Sequence, residues 1–361
     1  MRRRKYVICA CVVVFVYWFL GVGDYMSASS YETEFSYPLD IELRPVVQDI
    51  LSGGRPTVAP INFYPFKFLT TPKKCVNVEK IDLLILVKSA REHSERREAI
   101  RQTYGRENDV PDKIVRTVFF LGIHRDPDVD VSQKVAAERE RFADIVESDF
   151  EDDYYNNTIK TMLSFRWAYE HCAHAAYYLF TDDDMYISVP NLLRYVQDVG
   201  CRRPYETHLY AGHVFRSTPR RYRGSKWRVS VAEYPWDRWP PYVTAGAYVL
   251  SNWSMRTLHV ASAFVQHFRF DDVYLGIVAK KVGIFLTHSD RFRFYRMRYT
   301  RKGYRDVIAS HGFGDPTTSR VARRLYSLGN SKRPTMSMPL NTSDIVLTNQ
   351  IFCHYVYMMC L

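Results

Sequence analysis

Cysteine is scarce in this chain, seven residues in 361, and acidic residues are outnumbered, 39 Asp plus Glu against 50 Lys plus Arg. So few thiols over so long a chain exclude a small disulfide-knot scaffold. There is no heptad and no exposed apolar stripe to argue for an assembly, so a homo-oligomer is left open. An apolar fraction of 47% with 25% charged residues excludes a disordered chain. The acidic deficit leaves a formal charge of +11, which admits nucleic acid, acidic lipid headgroups or a phosphorylated substrate as partners. Much of the excess sits at Arg2 to Lys5 and in the stretch Arg291 to Arg305, and the second also reads as an ordinary solvated basic face.

The clearest apolar run lies at the N-terminus. Arg2, Arg3, Arg4 and Lys5 precede 18 uncharged residues from Tyr6 to Gly23. As a helix this run rises about 27 Å, which just spans a bilayer. The basic cluster predicts a cytoplasmic tail over 1–5, a type II signal anchor over 6–23 and translocation of everything from Asp24 onward. The rival is a cleaved signal peptide, for which Ser27-Ala28-Ser29 is a weak cleavage site. Translocation argues against nucleic acid as a partner. It also gives meaning to the glycosylation acceptors at Asn156, Asn252 and Asn341. Five cysteines follow the anchor, Cys75, Cys172, Cys201, Cys353 and Cys360, an odd number whose pairing spacing does not settle.

From 24 to 80 the chain is rich in Tyr, Pro, Ser and Gly without a sustained period, and reads as a stem. Ile81 to Ser89 and Val115 to Ile123 are short apolar runs suited to buried parallel strands. A polar helix-like segment follows the first, and a helix from Val131 to Val146 follows the second. Another helix is expected from Thr158 to His171, leading into a strand that ends in Asp182, Asp183 and Asp184. Strands alternating with helices predict an α/β fold with a mostly parallel central sheet over 81–330. The segment 331–361 is an extension of unknown role; its Ile345 to Leu361 run is either a second membrane span or a surface that packs on the domain.

Three carboxylates at the carboxyl end of a buried strand stand where open α/β sheets bind ligands, and their repulsion calls for a cation. A hard ion such as Mn²⁺ or Mg²⁺ held there bridges a diphosphate and stabilises it as a leaving group. Nucleotide-sugar transfer is the natural reaction. It needs a base, and Asp271 and Asp272 at the mouth of a helix-like segment serve either as that base or as a helix cap. His311, before a glycine-rich turn, is a third ligand candidate or a structural histidine.

RREAIRQTYG (Arg96 to Gly105), DFEDDYYNNTIKT (Asp149 to Thr161), FTDDDMY (Phe180 to Tyr186), PPYVTAGAYVLS (Pro240 to Ser251) and FDDVYLG (Phe270 to Gly276) occur in this order. Together they resemble the inverting β-1,3-galactosyl- and β-1,3-N-acetylglucosaminyltransferases of the Golgi, over roughly Ile81 to Pro316. The resemblance implies a nucleotide-diphospho-sugar transferase fold of the GT-A type and a single-pass type II Golgi membrane enzyme with a luminal catalytic domain. It implies Mn²⁺ as cofactor, held by Asp184 and His311 with Asp182 nearby, and Asp272 as catalytic base. Asp182, Asp183, Arg97, Arg101, Lys160 and Gly246 would face the donor, and Asp271 and Trp227 the acceptor.

The family's usual tryptophan is Tyr104 here, and its Cys-Ser-Gly-Gly is Val243, Thr244, Ala245 and Gly246. Brainiac-like members share the second change. The implied donor is therefore UDP-N-acetylglucosamine and the acceptor a β-mannose of a glycolipid, with UDP-galactose and other glycolipid or glycoprotein glycans as competitors. A non-catalytic Golgi sugar-binding pseudo-transferase is the alternative class, and retention of Asp182, Asp184, Asp272 and His311 speaks against it.

Overall fold

A computed structural model describes residues 2–315 apart from 127, 201–207, 299 and 301. The extension 331–361, Asn341, Cys201, Cys353 and Cys360 lie outside the described residues. The chain opens with α1 (Arg2–Leu20), α2 (Val22–Met26), α3 (Tyr31–Glu34), α4 (Leu43–Leu51) and β1 (Phe68–Thr70). Strands and helices then alternate through β2 (Ile81–Lys88), α5 (Ser94–Arg101), β3 (Val115–Ile123), α6 (Val129–Phe142), β4 (Ile145–Glu151), α7 (Asn157–His171) and β5 (Ala175–Asp182). After β6 (Met185–Ile187) and α8 (Val189–Gly200) come β7 (Tyr210–Phe215), β8 (Tyr242–Ser251), α9 (Asn252–Ser262) and α10 (Asp271–Val282). Three short strands, β9 (Thr287–His288), β10 (Phe292–Arg293) and β11 (Ala309–His311), complete it.

The main sheet has eight strands in the order β1-β4-β3-β2-β5-β8-β7-β9. Its contiguous centre β4-β3-β2-β5 is parallel, as the alternating pattern predicts for β3, β2 and β5; β4 is an additional strand that the pattern does not mark. The sheet as a whole is mixed, however, because β8 runs antiparallel to both β5 and β7, and β1 antiparallel to β4. All eight residues of β2 are buried, since both its edges are paired and both its faces are covered. Leu84 and Leu86 join Phe120, Phe165 and Phe180 on one face, while Leu83, Ile85 and Val87 join Phe119, Leu179 and Val249 on the other. That split is the period of two expected of a strand. α6 ends earlier than its sequence predicts. Ala143 turns into the left-handed region at φ 47, and Ile145 then starts β4.

The segment 24–80 is not a free stem. Tyr37, Leu43 and Val47 are buried at 5%, 0% and 1% exposure, and α4 packs against α9 and α10. Asn62 Nδ2 donates to Ser262 O at 2.8 Å and to Tyr274 Oη at 2.9 Å. Cys75 is joined to Cys172 across 97 residues. Closing a loop of that length removes about 4–5 kcal/mol of unfolded-state chain entropy. α4 turns Leu43, Val46, Val47, Ile50 and Leu51 to the core at helical spacing, a pattern confined to about two turns within a segment otherwise rich in Tyr, Pro, Ser and Gly.

The N-terminal span also needs correction. Gly21 adopts φ 68 and breaks the helix after Leu20, so the apolar run is not continuous to Gly23. Its 15 apolar residues from Tyr6 to Leu20 rise about 22 Å, short of a hydrocarbon core of about 30 Å. No helix among the described residues is long and apolar enough to cross a membrane. The α1 side chains are exposed nonetheless, Val13 and Val14 at 66% and 67%.

Gly276 brings α10 close to the start of β8. A Cβ there would lie 2.6 Å from Tyr242 Cβ and 2.8 Å from the Pro241 carbonyl. Gly276→Ala should therefore destabilise the protein by about 1–3 kcal/mol. The shift in urea midpoint measures it, and an unchanged midpoint would show that the two elements part freely.

Candidate active site

β2 and β5 end side by side, and their register pairs Lys88 with Asp182. Lys88 Nζ lies 3.1 Å from Asp182 Oδ1 and 2.6 Å from Asp271 Oδ2, with only 4% of its side chain exposed. Burial opposes its charge, but the two carboxylates outweigh burial and raise its pKa. Thr161 Oγ1 donates to the same Asp271 oxygen at 2.7 Å. Burial alone would raise the Asp271 carboxyl; the Lys88 charge and these hydrogen bonds hold it below the usual carboxylate range. Asp271 is thus a buried anchor for the start of α10, and its expected contact with an acceptor is corrected.

Asp272, the next residue, lines the cleft. Its Oδ1 accepts from the Val273 N–H at 2.8 Å. Burial and the adjacent Asp271 charge push its carboxyl up to about 7. Asp182 also lines the cleft and is pushed up to about 6, by burial and by Asp271 and Asp184, against the pull of Lys88. Asp182 and Asp271 share one buried ammonium while Asp184 acts on Asp182 and Asp271 on Asp272, a shortfall of positive charge that a divalent cation would fill.

The three consecutive aspartates have three different fates. Asp183 turns away from the cleft, 7% exposed, and accepts from Ser89 Oγ at 2.7 Å and Arg96 Nη1 at 2.9 Å, with His93 Nδ1 at 2.8 Å. Burial would raise its carboxyl, but these partners hold it low. It ties β5 to the start of α5, which corrects its assignment to the donor. Asp184 faces β11, which pairs antiparallel with β6 in the register His311 to Met185. That register sets His311 Nε2 3.1 Å from Asp184 Oδ2. The hydrogen bond that His311 donates to the Asp184 carboxylate raises the imidazole pKa against the effect of burial. Asp184 Oδ1 is buried without a hydrogen-bond partner among the described residues. Among the described residues no three His, Cys, Asp or Glu side chains converge as a ligand set for one metal ion. An orphaned carboxylate oxygen beside an imidazole nitrogen nevertheless fits a hard divalent ion that takes its remaining ligands from water and phosphate oxygens.

The cleft has a volume of about 320 Å³ and is lined by Asp182, Asp272 and His311 together with Trp227, Thr244 and Gly246. Trp227 is 42% exposed, and its Nε1 donates to Tyr154 Oη at 3.1 Å. Gly246 gives its carbonyl to Thr181 Oγ1 at 3.0 Å.

Three basic residues expected beside the donor are engaged elsewhere. Arg97 is fully buried, and its five N–H donors go to Glu138, Ser89, Ala90 and Arg91. Arg101 binds Asp144 and Glu138 and stacks on Phe142. Lys160 Nζ donates to Ser89 O and Asp152, both at 2.8 Å. Arg97 and Lys160 shape the loop after β2, and Arg101 pins α5 to α6. Asn252 Nδ2, the atom that would carry a glycan, donates to Ala173 O at 2.6 Å and Ala175 O at 2.8 Å. It starts α9 and is a structural residue. Asn156 Nδ2 makes one such bond, to Glu151 O at 2.9 Å.

Lys88, Ser89, His93, Arg96 and Thr161 belong to the site although sequence reasoning did not single them out. Lys88 left a signal, a lone cation closing the apolar run IDLLILV. Ser89, His93 and Thr161 left none.

Residues 95–290, more than half of the chain, match the family model described as Galactosyltransferase. The chain is 44% identical over 308 residues to β-1,3-galactosyltransferase brn of Drosophila melanogaster, covering 82% of this chain and 88% of that protein. It is 32% identical over 316 residues to the lactosylceramide 1,3-N-acetyl-β-D-glucosaminyltransferase of Rattus norvegicus, covering 85% and 81%. A solved galactosyltransferase, LgtC in complex with donor and acceptor sugar analogues, overlaps only at a TM-score of 0.36 and 15% identity, covering 70% of this chain and 98% of that one. With Asp182 of the triplet and Asp272 of the pair brought to one cleft, these likenesses show that the chain belongs to the galactosyltransferase family of β-1,3-glycosyltransferases.

Proposed function

We propose that the chain is an inverting, Mn²⁺-dependent β-1,3-glycosyltransferase that moves a sugar from a UDP-sugar to a hydroxyl of a glycan acceptor. The observation that carries this is a single cleft lined at once by Asp272, Asp182 and His311. Single displacement needs a base for the attacking hydroxyl and a separate place for a departing diphosphate. Asp272, pushed up to about 7, accepts the acceptor proton near neutral pH. Trp227 offers a flat apolar face to an acceptor ring. Asp184 and His311 would hold the Mn²⁺, and the chemistry it supplies when bound is neutralisation of charge on the diphosphate. Lys88 keeps Asp182 at the cleft wall, and Asp183 fixes the strand end behind it.

The donor we propose is UDP-N-acetylglucosamine and the acceptor a β-mannose of a glycolipid. Thr244, Gly246 and Ala247 line the cleft with small side chains, which leaves space for a 2-acetamido group. For the donor, the N-acetylglucosaminyl transfer for which the rat relative is named points the same way. A second reading, UDP-galactose, is favoured by the galactosyl transfer for which the Drosophila relative is named. The Cys75 to Cys172 disulfide supports an oxidising compartment, and we place the enzyme in the Golgi lumen.

The test is transfer by the full chain in detergent with Mn²⁺, each UDP-sugar in turn, and β-mannosyl or β-galactosyl acceptors. N-acetylglucosamine transfer to mannose that stops on chelation is the expected result. Galactose transfer keeps the mechanism and installs the second reading. Tight UDP binding without transfer from either donor rejects catalysis.

A further inference from the structure

We infer that the N-terminal segment 18–37 is a brace that positions the Trp227 loop and so sets the acceptor side of the cleft. The inference rests on reading Trp227 as facing the acceptor.

Between β7 and β8 lies a segment of 26 residues, 216–241, with no strand or helix of its own beyond isolated bridges. A connection this long holds one shape only if something outside it supplies contacts. Inside it, Arg221 is 1% exposed and acts as the internal tie. Its guanidinium donates to Val229 O at 3.1 Å, Tyr234 O at 2.9 Å and Trp236 O at 2.8 Å. Trp227 sits on the short excursion that this tie closes. Val229 N donates to Arg220 O at 2.9 Å, and Trp227 N to Ser225 Oγ at 3.2 Å.

The outer side of the tie is covered by the N-terminal segment. A Cβ on Gly21 would lie 2.5 Å from the Arg221 carbonyl oxygen, so only glycine permits the approach, and φ 68 favours glycine for a second reason. The Arg221 N–H donates to Tyr25 Oη at 3.3 Å. Arg223 N donates to Phe19 O at 2.8 Å, and its guanidinium lies 4.1 Å over the Trp18 ring. Farther along, Ser29 exchanges two backbone hydrogen bonds of 2.9 Å with Pro235 and Asp237. Trp236 Nε1 donates to Glu34 O at 2.7 Å. Contacts therefore run along the length of the segment, and none of its residues lines the cleft.

Displacing the Arg221 carbonyl should shift the excursion that carries Trp227 while leaving Lys88, Asp182, Asp184 and His311 in place, since none of these touches the brace. The experiment uses the full chain in detergent with Gly21→Val and, as a milder variant, Tyr25→Phe. Transfer kinetics give the KM for acceptor and for UDP-sugar separately, and limited trypsinolysis reports cleavage after Arg220, Arg223 and Lys226. For Gly21→Val the expected result is an acceptor KM raised about tenfold, a donor KM within about twofold of the parent and faster cleavage in the loop. Tyr25→Phe should move both readouts the same way by less. Unchanged acceptor KM and cleavage in Gly21→Val would overturn the brace. Donor and acceptor KM rising together would overturn its restriction to the acceptor side. If the parent transfers no sugar but Gly21→Val is still cleaved faster, the brace stands and the transferase reading fails.

Discussion

Asp272→Asn should lower turnover by about 10²–10⁴-fold, the range lost with a positioned base, while UDP affinity stays near that of the parent. The amide keeps the shape of the side chain and its hydrogen bond from the Val273 N–H, so the loss isolates the proton-accepting role. The same carboxyl predicts the acid limb of the pH profile. A base pushed up to about 7 must be ionised to act, so kcat/KM should fall about tenfold per pH unit below that value. A cation bound at Asp184 would draw the limb to lower pH.

Stability should move the opposite way. The folded pKa of Asp272 lies above its ordinary value, so the folded state binds the proton more tightly than the unfolded chain does. Its contribution is fully present below the unfolded pKa of about 4 and is lost as pH rises through about 7. Asp272→Asn removes a buried charge at pH 8 and should raise Tm there by a few degrees, with the gain vanishing near pH 4. A variant that keeps turnover, or loses Tm at pH 8, would rule Asp272 out as a strained, functional carboxylate.

Lys88→Met should destabilise the protein by about 3–5 kcal/mol at pH 8, the cost of leaving buried carboxylates without their cation. Both partners are affected, because Asp182 and Asp271 share the one ammonium. The sign of the pH dependence follows from Asp271. Its folded pKa is depressed by Lys88, so the stability it contributes is present above the unfolded value and lost as pH falls through the folded one. Without Lys88 that carboxyl should protonate readily, and the gap between variant and parent should narrow toward pH 5. Urea midpoints at the two pH values measure this. Adding Asp271→Asn to Lys88→Met should recover much of the loss, since it removes a charge left unpaired. A loss below about 1 kcal/mol at pH 8 would place the pair among solvent-screened ion pairs.

Much of the site was legible because its residues sit at ends of elements that the sequence marks strongly. An apolar run followed by three aspartates announces a strand end, and a pair of aspartates before VYLGIV announces the mouth of a helix. The role of each acid was not legible. Asp182, Asp183 and Asp184 are neighbours in sequence, yet one meets Lys88, one meets His93 and Arg96, and one meets His311. Arg97 and Arg101 show the converse: cations in a recognised motif face inward to Glu138 and Asp144, because α5 turns them toward α6 and away from the cleft.

The amino-acid sequence by itself determined the parallel strands β2, β3 and β5, their alternation with helices, and the strand end where the carboxylates gather. Each of these rests on local burial pattern, which is written in consecutive residues. Only the tertiary structure decided that 24–80 packs on the domain, that β8 and β7 turn the sheet antiparallel, and that His311 reaches Asp184 through the β6 to β11 register. Those features depend on contacts between residues far apart in the chain. A period, such as the apolar stripe of α4, marks a face but does not name the surface it meets, because the free energy that selects the partner comes from surfaces that meet only once the chain has folded.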